Sequence, residues 1–259
     1  MNIPFYKYHG AGNDFIMIDN RTHFFPENNT DGIQQLCARN FGVGADGLIL
    51  LEDSLEADFK MRYFNANGSE GTLCGNGGRC TVAFAYFLGI CSKDTRFEAV
   101  DGLHHAQIAE NGLVSLHMLD VDTISLFENH AFLDTGSPHH VELVEDVANF
   151  PVVATGRSLR NNTYGAAGSN INFVTQLNDH TFQIRTYERG VEDETLACGT
   201  GATAVAIAMH ALKKTAKNTV ELPVKGGHLS VSFTETNGTY SNIYLTGPAA
   251  PVFKGTFNL

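Results

Sequence analysis

Two stretches of the chain alternate apolar and polar side chains almost strictly, FKMRYF at 59–64 and FQIRTY at 182–187. A period of two places Phe59, Met61 and Tyr63 on one face, which predicts a strand in each stretch. Downstream of each, the pattern changes. CTVAFAYFLG (80–89) and ATAVAIAMHALKK (202–214) have helical length and are apolar nearly all round. A helix without a polar face has to be wrapped by other structure. The first stops at Gly89, a residue suited to a C-cap, and the second ends with Lys213 and Lys214, whose charge suits a helix C-terminus. LILLED, VSLHML, HLSVSF and NIYLTG add short strands, with Gly, Asn and Asp at the turns between them.

The strand–helix pattern is an internal repeat. Arg62 and Arg185 stand 123 positions apart, an offset that also pairs Phe59 with Phe182 and Phe64 with Tyr187. Cys74 and Cys198 stand 124 apart, so the second copy has gained one residue near GVEDE. Gly12-Asn13 falls opposite Gly136-Ser137 at the same offset of 124. The expected fold is α+β, with two pseudo-symmetric lobes, each β-rich and curled around one buried helix. The expected division is 1–117 with Cys74, completed by a C-terminal strand at 247–259, and 118–246 with Cys198. The linker is expected near MLDVDT.

Composition narrows the function classes. A chain of 259 residues can bury a substantial core, and 43% hydrophobic with 17% charged residues is ordinary for a globular protein. A formal net charge of −11 argues against nucleic acid or an anionic membrane as partner. No apolar stretch is long enough to span a bilayer, and MNIPFYKYHGAGNDF lacks the basic-then-apolar pattern of a signal peptide. Five cysteines without C-x-x-C pairs fit neither a disulfide framework nor a standard zinc site. The expectation is free thiols in a reducing cytoplasm.

Two of those thiols share a context. TLCGNGGRC, with Cys74, and TLACGTGA, with Cys198, each place a cysteine just before Gly-x-Gly at the start of an inferred helix. The first amides of a helix lack partners inside it, and that end carries partial positive charge. A thiolate is favoured there, below the ordinary thiol pKa of about 8.5. The glycines also let the backbone close on an anion, so CGNG and CGTG suit a carboxylate. One such turn would fit a nucleophile or an anion site. Two, related by an approximate twofold, point to a pair of acid/base groups facing each other across one substrate. That arrangement suits stereoinversion: a base removes a proton from an α-carbon on one face, and an acid returns one on the other. Helix N-termini at the carboxylate stabilise the carbanion electrostatically, so no cofactor is required. No residue marks a pyridoxal-phosphate site.

HGAGNDF, RYFNANGSEGTLCGNGGRC, GSPHH, GSNINFV and YERGVEDETLACGTGA resemble the motifs of the diaminopimelate epimerase family, in that family's order, from His9 to beyond Gly201. The resemblance implies a pyridoxal-independent epimerase that interconverts LL- and meso-2,6-diaminoheptanedioate, on the route to lysine and peptidoglycan. It further implies lobes that are each an α/β roll around a central helix, and a homodimer. By the same resemblance Cys74 and Cys198 are the acid/base pair. Gly75, Asn76, Gly199 and Thr200 supply amides to the reacting carboxylate. Asn13, Asn65 and Asn170 fall on substrate-binding asparagines, and Glu188 and Arg189 on a Glu-Arg pair. Arg189 can fork onto a carboxylate and Glu188 can hold an ammonium. Ser137 stands where an asparagine is often found, and Gly47 where some members carry glutamine. Both shorten a polar reach, leaving room for a water or another residue.

Other readings compete. Cys37, Cys80 and Cys91 read as packed small hydrophobes, and a disulfide joining Cys74 to Cys198 would be an oxidised, inactive form. His104-His105 and His139-His140 are adjacent pairs that cannot both face one ion from a regular strand, so no metal site is expected. His139 is a candidate for a hydrogen bond to a catalytic thiol, or a structural histidine; His9 reads as structural. Arg62 and Arg185 read as strand arginines paired with nearby carboxylates. GNGGR lacks the Gly-Lys-Ser/Thr ending of a phosphate loop. Two functional alternatives remain: a related two-cysteine proline or hydroxyproline racemase, for which Arg189 has no obvious use, and a non-catalytic anion-binding module. The phenazine-biosynthesis isomerase type lacks the cysteine pair and fits poorly.

Overall fold

The computed structural model describes residues 1–26 and 29–259. The chain forms two compact units, Met1–Leu116 with Gly247–Leu259, and His117–Thr246. The first contains β1 (Asn2–Gly10), β2 (Asn13–Asp19), α1 (Thr30–Cys37), β3 (Gly47–Glu52), β4 (Phe59–Asn65), the short β5 (Glu70–Gly71), α2 (Gly75–Phe87), β6 (Asp94–Ala99), β7 (Gly102–Ile108) and β8 (Val114–His117). The second contains β9 (Ile124–Leu126), β10 (His130–Asp134), β11 (Pro138–Leu143), α3 (Val152–Asn162), β12 (Asn170–Gln176), β13 (Phe182–Glu188), β14 (Asp193–Thr195), α4 (Gly199–Ala211), β15 (Thr219–Val224), β16 (Gly227–Thr236) and β17 (Thr239–Gly247). The chain then returns as β18 (Ala250–Asn258) to the first unit.

In the first unit the strands run in the order β18-β1-β2-β3-β4-β6-β7-β8, with β5 beside β4. The β2–β3 and β4–β6 pairs are parallel and the others antiparallel. In the second unit one sheet runs β14-β13-β12-β11-β10-β9, parallel at β11–β12. A ladder of β15, β16 and β17 joins it through a bridge between Thr181 and Glu221.

Each unit wraps one helix, as the unbroken apolar surface requires. Gly75–Val82, Phe84 and Ala85 of α2 are buried, as are Gly199 and Gly201–Met209 of α4. The two helices end alike. After α2, the amides of Leu88, Gly89 and Ile90 donate to the carbonyls of Phe84, Tyr86 and Ala85; after α4, those of Leu212, Lys213 and Lys214 donate to Ala208, His210 and Met209. Both ends are the left-handed C-terminal motif, with Gly89 at φ +72° and Lys213 at φ +57°. The lysines therefore lie just past the helix rather than in its last turn, where the basic residue is His210.

A second layer was not evident in the sequence. β4 buries Phe59 and Met61 on one face, yet Phe64 is buried on the other, in a cluster with Leu48, Leu50 and the α1 residues Ile33 and Leu36. β13 repeats this: Phe182 and Ile184 are buried, while Tyr187 packs with Ile171, Phe173 and Val152 of α3. Tyr63, expected on the buried face, is half-buried. Among the described residues no helix is long and apolar enough to cross a membrane.

Candidate active site

In the first unit Cys74 is the N-cap of α2, at φ −91° and ψ 120°, so its sulfur stands beside the first turn, whose amides lack acceptors within the helix. Cys74 Sγ donates to Asn13 Oδ1 at 3.5 Å, and Asn76 Nδ2 donates to the same oxygen at 3.3 Å. Asn13 in turn donates through Nδ2 to Asp46 Oδ2 at 2.6 Å. Asn65, at the end of β4, accepts from Tyr63 Oη at 3.0 Å and donates to Ser69 Oγ at 3.2 Å. Beneath the turn lies Arg79, fully buried, donating to Asn76 Oδ1 at 2.8 Å and Gly75 O at 3.2 Å. Burial pushes its guanidinium down from its ordinary pKa, with Cys80 and Cys74 acting in the opposite sense.

Gly47 has a local reason. A Cβ there would stand 2.5 Å from Phe64 O and 2.6 Å from Tyr63 Cε2. The Tyr63 ring occupies the room that a longer side chain would need, and its hydroxyl reaches Asn65 instead.

In the second unit Cys198 caps α4 in the same extended conformation, at φ −118° and ψ 114°, with Sγ 3.5 Å from Thr200 Oγ1. Thr135 Oγ1 donates to Thr200 O at 2.9 Å and so holds the turn against β10. Asn170 is buried and donates to Ser137 Oγ at 2.9 Å, while its Oδ1 accepts from the Arg189 amide at 2.9 Å. Arg189 is exposed; it donates to Ser137 Oγ at 3.2 Å and Ala167 O at 3.0 Å. Ser137 is therefore the hinge between Asn170 and Arg189, and the shorter side chain stays engaged with both. Glu188 ends β13, half-buried, next to Arg189.

His139 is wholly buried and meets Asn172 rather than a sulfur. Asn172 accepts from Thr186 Oγ1 at 2.9 Å and donates to His140 O at 2.8 Å, which fixes its amide. Its Nδ2 then donates to His139 Nδ1 at 3.2 Å, which puts the imidazole proton on Nε2. That nitrogen is buried with no hydrogen-bond partner among the described residues. Burial, and then Arg189, push the His139 pKa down to about 3. The imidazole stays neutral.

The other thiols differ in kind. Cys37, Cys80 and Cys91 are free thiols. Burial pushes Cys37 and Cys80 up to about 12 and raises Cys91, which is only half-buried. Arg62 forks onto Glu70 at 2.9 and 3.2 Å, and Arg185 onto Glu194 at 2.6 and 2.7 Å, structural pairs at matching places in the repeat. His104 and His105 meet Asp101 and Asp94 separately. Asp46, Arg79 and Asn172 were not singled out in the sequence, and Tyr63 only as a strand residue. Arg79 carried the one available signal, a permanent charge entering an otherwise apolar helix.

The diaminopimelate epimerase family model matches residues 5–123 and 131–252. A diaminopimelate epimerase of Flavobacterium psychrophilum is 57% identical over 97% of this chain and 98% of its own. One from Chlorobaculum tepidum is 44% identical over 96% and 99%. Among solved structures, a phenazine biosynthesis protein of the PhzF family from Bacillus anthracis superposes with a TM-score of 0.78 at 15% identity, covering 100% of both chains. A hydroxyproline epimerase from Agrobacterium vitis gives 0.68 at 14%, covering 99% of this chain and 91% of its own. At those identities the likeness shows a shared fold. With the family model spanning most of the chain and relatives matched over nearly their full length, the chain belongs to the diaminopimelate epimerase family.

Proposed function

We propose that the chain interconverts LL- and meso-diaminopimelate without a cofactor, using Cys74 and Cys198 as the acid/base pair. The observation that carries this reading is the duplicated placement of one thiol at the start of one wrapped helix in each unit. In the forward step the thiolate on one side takes the α-proton, and its electron pair stays on the α-carbon and spreads into the carboxylate. The thiol on the other side gives its proton to the opposite face, so the two sulfurs exchange protonation states and the centre inverts. The amides of Gly75, Asn76, Gly199 and Thr200 are suited to hold the charge that develops on the carboxylate. Arg189 and Glu188 suit the distal carboxylate and ammonium, and Asn13, Asn65 and Asn170 the remaining polar groups. A homodimer at work in the cytoplasm belongs to the same reading.

A proline or hydroxyproline racemase shares the fold, but a monocarboxylate leaves Arg189 without a use. The test is conversion of LL-diaminopimelate under reducing conditions by wild type, Cys74→Ser and Cys198→Ser. The expected result is meso product from wild type and a rate reduced by more than about a hundredfold in each variant. Undiminished turnover in either variant, or turnover of proline in place of diaminopimelate, would overturn the assignment.

A further inference from the structure

The hydrogen bonds behind Cys74 form a directed chain. A carboxylate only accepts and a guanidinium only donates, so each fixes the amide beside it. Asp46 compels Asn13 to turn Nδ2 toward it, which leaves Oδ1 facing Cys74 Sγ and Asn76. From the other end, Arg79 compels Asn76 to turn Oδ1 inward, which leaves Nδ2 for Asn13. Asp46 is itself held, accepting from Arg39 Nη2 at 2.6 Å and from the Asp14 amide at 3.2 Å.

The second unit carries different residues along the matching path. At the matching positions, 124 residues on, stand Ser137 for Asn13, Thr200 for Asn76 and Thr203 for Arg79. Thr203 Oγ1 bonds to Gly199 O at 3.1 Å, and the Thr200 hydroxyl beside Cys198 is free either to donate or to accept. The two half-sites are therefore chemically unlike, although the backbone repeats.

We propose that Asp46 and Arg79 are positioning residues for Cys74: from opposite ends they lock Asn13 and Asn76 so that Asn13 turns an acceptor, not a donor, toward the sulfur. An acceptor there favours the protonated thiol over what a freely turning amide would allow, because a rotated amide would offer N–H to a thiolate. The ionisable groups around the chain are Lys7, Tyr8 and His9 of β1, Asp14 of β2, Cys37 of α1, Arg39, Asp46, Tyr63 of β4, and Arg79 and Cys80 of α2. Lys7, Asp14, Arg39 and Asp46 balance in formal charge. Arg79 favours the thiolate, and it is present in every protein compared below, so the comparison isolates the direction of the Asn13 amide.

The inference rests on Cys74 being one of the acid/base pair, but its test reads the thiol rather than turnover. Full-length wild type, Asp46→Ala and Asp46→Asn are alkylated with iodoacetamide between pH 6 and 10, and the Cys74 peptide is quantified by mass spectrometry. Asp46 is partly exposed, its side chain at 42%, so both substitutions spare the core. In Asp46→Ala the Asn13 amide is held from one end only, by Asn76, and turns part of the time; the alkylation midpoint should fall by about half a pH unit, roughly threefold more labelling below the midpoint. Asp46→Asn keeps an acceptor for Asn13 Nδ2 and should stay close to wild type. Equal shifts in the two variants would show that charge alone acts, and no shift in either would remove the role altogether; either outcome overturns the proposal. A shift in Asp46→Ala alone, in a protein that does not epimerise diaminopimelate, would leave the positioning role standing and sink the proposed function instead.

Discussion

Tyr63 shows how one residue decides whether its neighbours can change. Its ring lies between Gly47 and Gly71, where a Cβ would come within 2.6 Å of Cε2 and 2.9 Å of Cδ1, and its hydroxyl holds Asn65. Gly47→Ala should displace the ring, cost about 1–3 kcal/mol in chemical denaturation and raise KM more than it lowers kcat. A variant of wild-type stability and KM would mean that both the ring and the Phe64 carbonyl, 2.5 Å from such a Cβ, can move aside. His139 carries the matching prediction in the other unit. Its folded pKa, about 3, lies below its unfolded value, so the unfolded chain binds the extra proton. The stability this neutral imidazole contributes is complete above about pH 6.5 and is lost as pH falls toward 3. His139→Gln should flatten the stability–pH slope between pH 6.5 and 4.5 by up to one proton; an unchanged slope would contradict burial as the cause. At this scale the sequence exposed the cysteines, because their context is duplicated. It could not expose Tyr63 or Asn172, whose roles depend on contacts across strands that no local pattern records.

The helices repeat more faithfully than their residues. Lys213 sits where the first unit has Gly89, in the left-handed region that costs a side chain about 1 kcal/mol. Lys213→Gly should leave activity unchanged and raise stability by about 0.5–1 kcal/mol, read as a higher denaturation midpoint; a loss of stability would show that the lysine side chain contributes more than its backbone costs. The central helices were legible because an all-apolar surface can only be wrapped. The outer helices α1 and α3 were not. α1 has eight residues and α3 eleven, and each carries a glycine, Gly32 and Gly156. A Cβ at Gly156 would come 2.4 Å from Tyr187 Cβ, so the glycine that weakens the helical signal is what lets α3 settle on β13.

At the scale of the whole molecule, the chain ends where it began. β18 pairs with β1 from Asn2–Asn258 to His9–Ala250, and Leu259 N donates to Met1 O at 2.9 Å. Phe257 and Leu259 pack against the cluster containing Ile3, Phe5 and the α1 residues. Phe257→Ala should therefore destabilise the first unit by about 1–3 kcal/mol, seen as earlier loss of amide protection in β1 and β2 than in β12 and β13. Uniform loss across both units would contradict their separate cores. The duplication was legible from paired offsets; the unlike surroundings of the two thiols were not, since Asp46 and Arg79 lie far from Asn13 in sequence, Asp46 meeting it directly and Arg79 only through Asn76.

The account depends most on two sulfurs sharing one reaction. The most direct measurement is early conversion of LL-diaminopimelate in heavy water under reducing conditions, with substrate and product separated and their deuterium counted. Two acid/base groups predict one deuterium at the inverted α-carbon of the first meso product and none in the recovered LL substrate. Deuterium in the recovered substrate at the same level as in the product would mean that a single group both removes and returns the proton, and the paired-thiol account would be wrong.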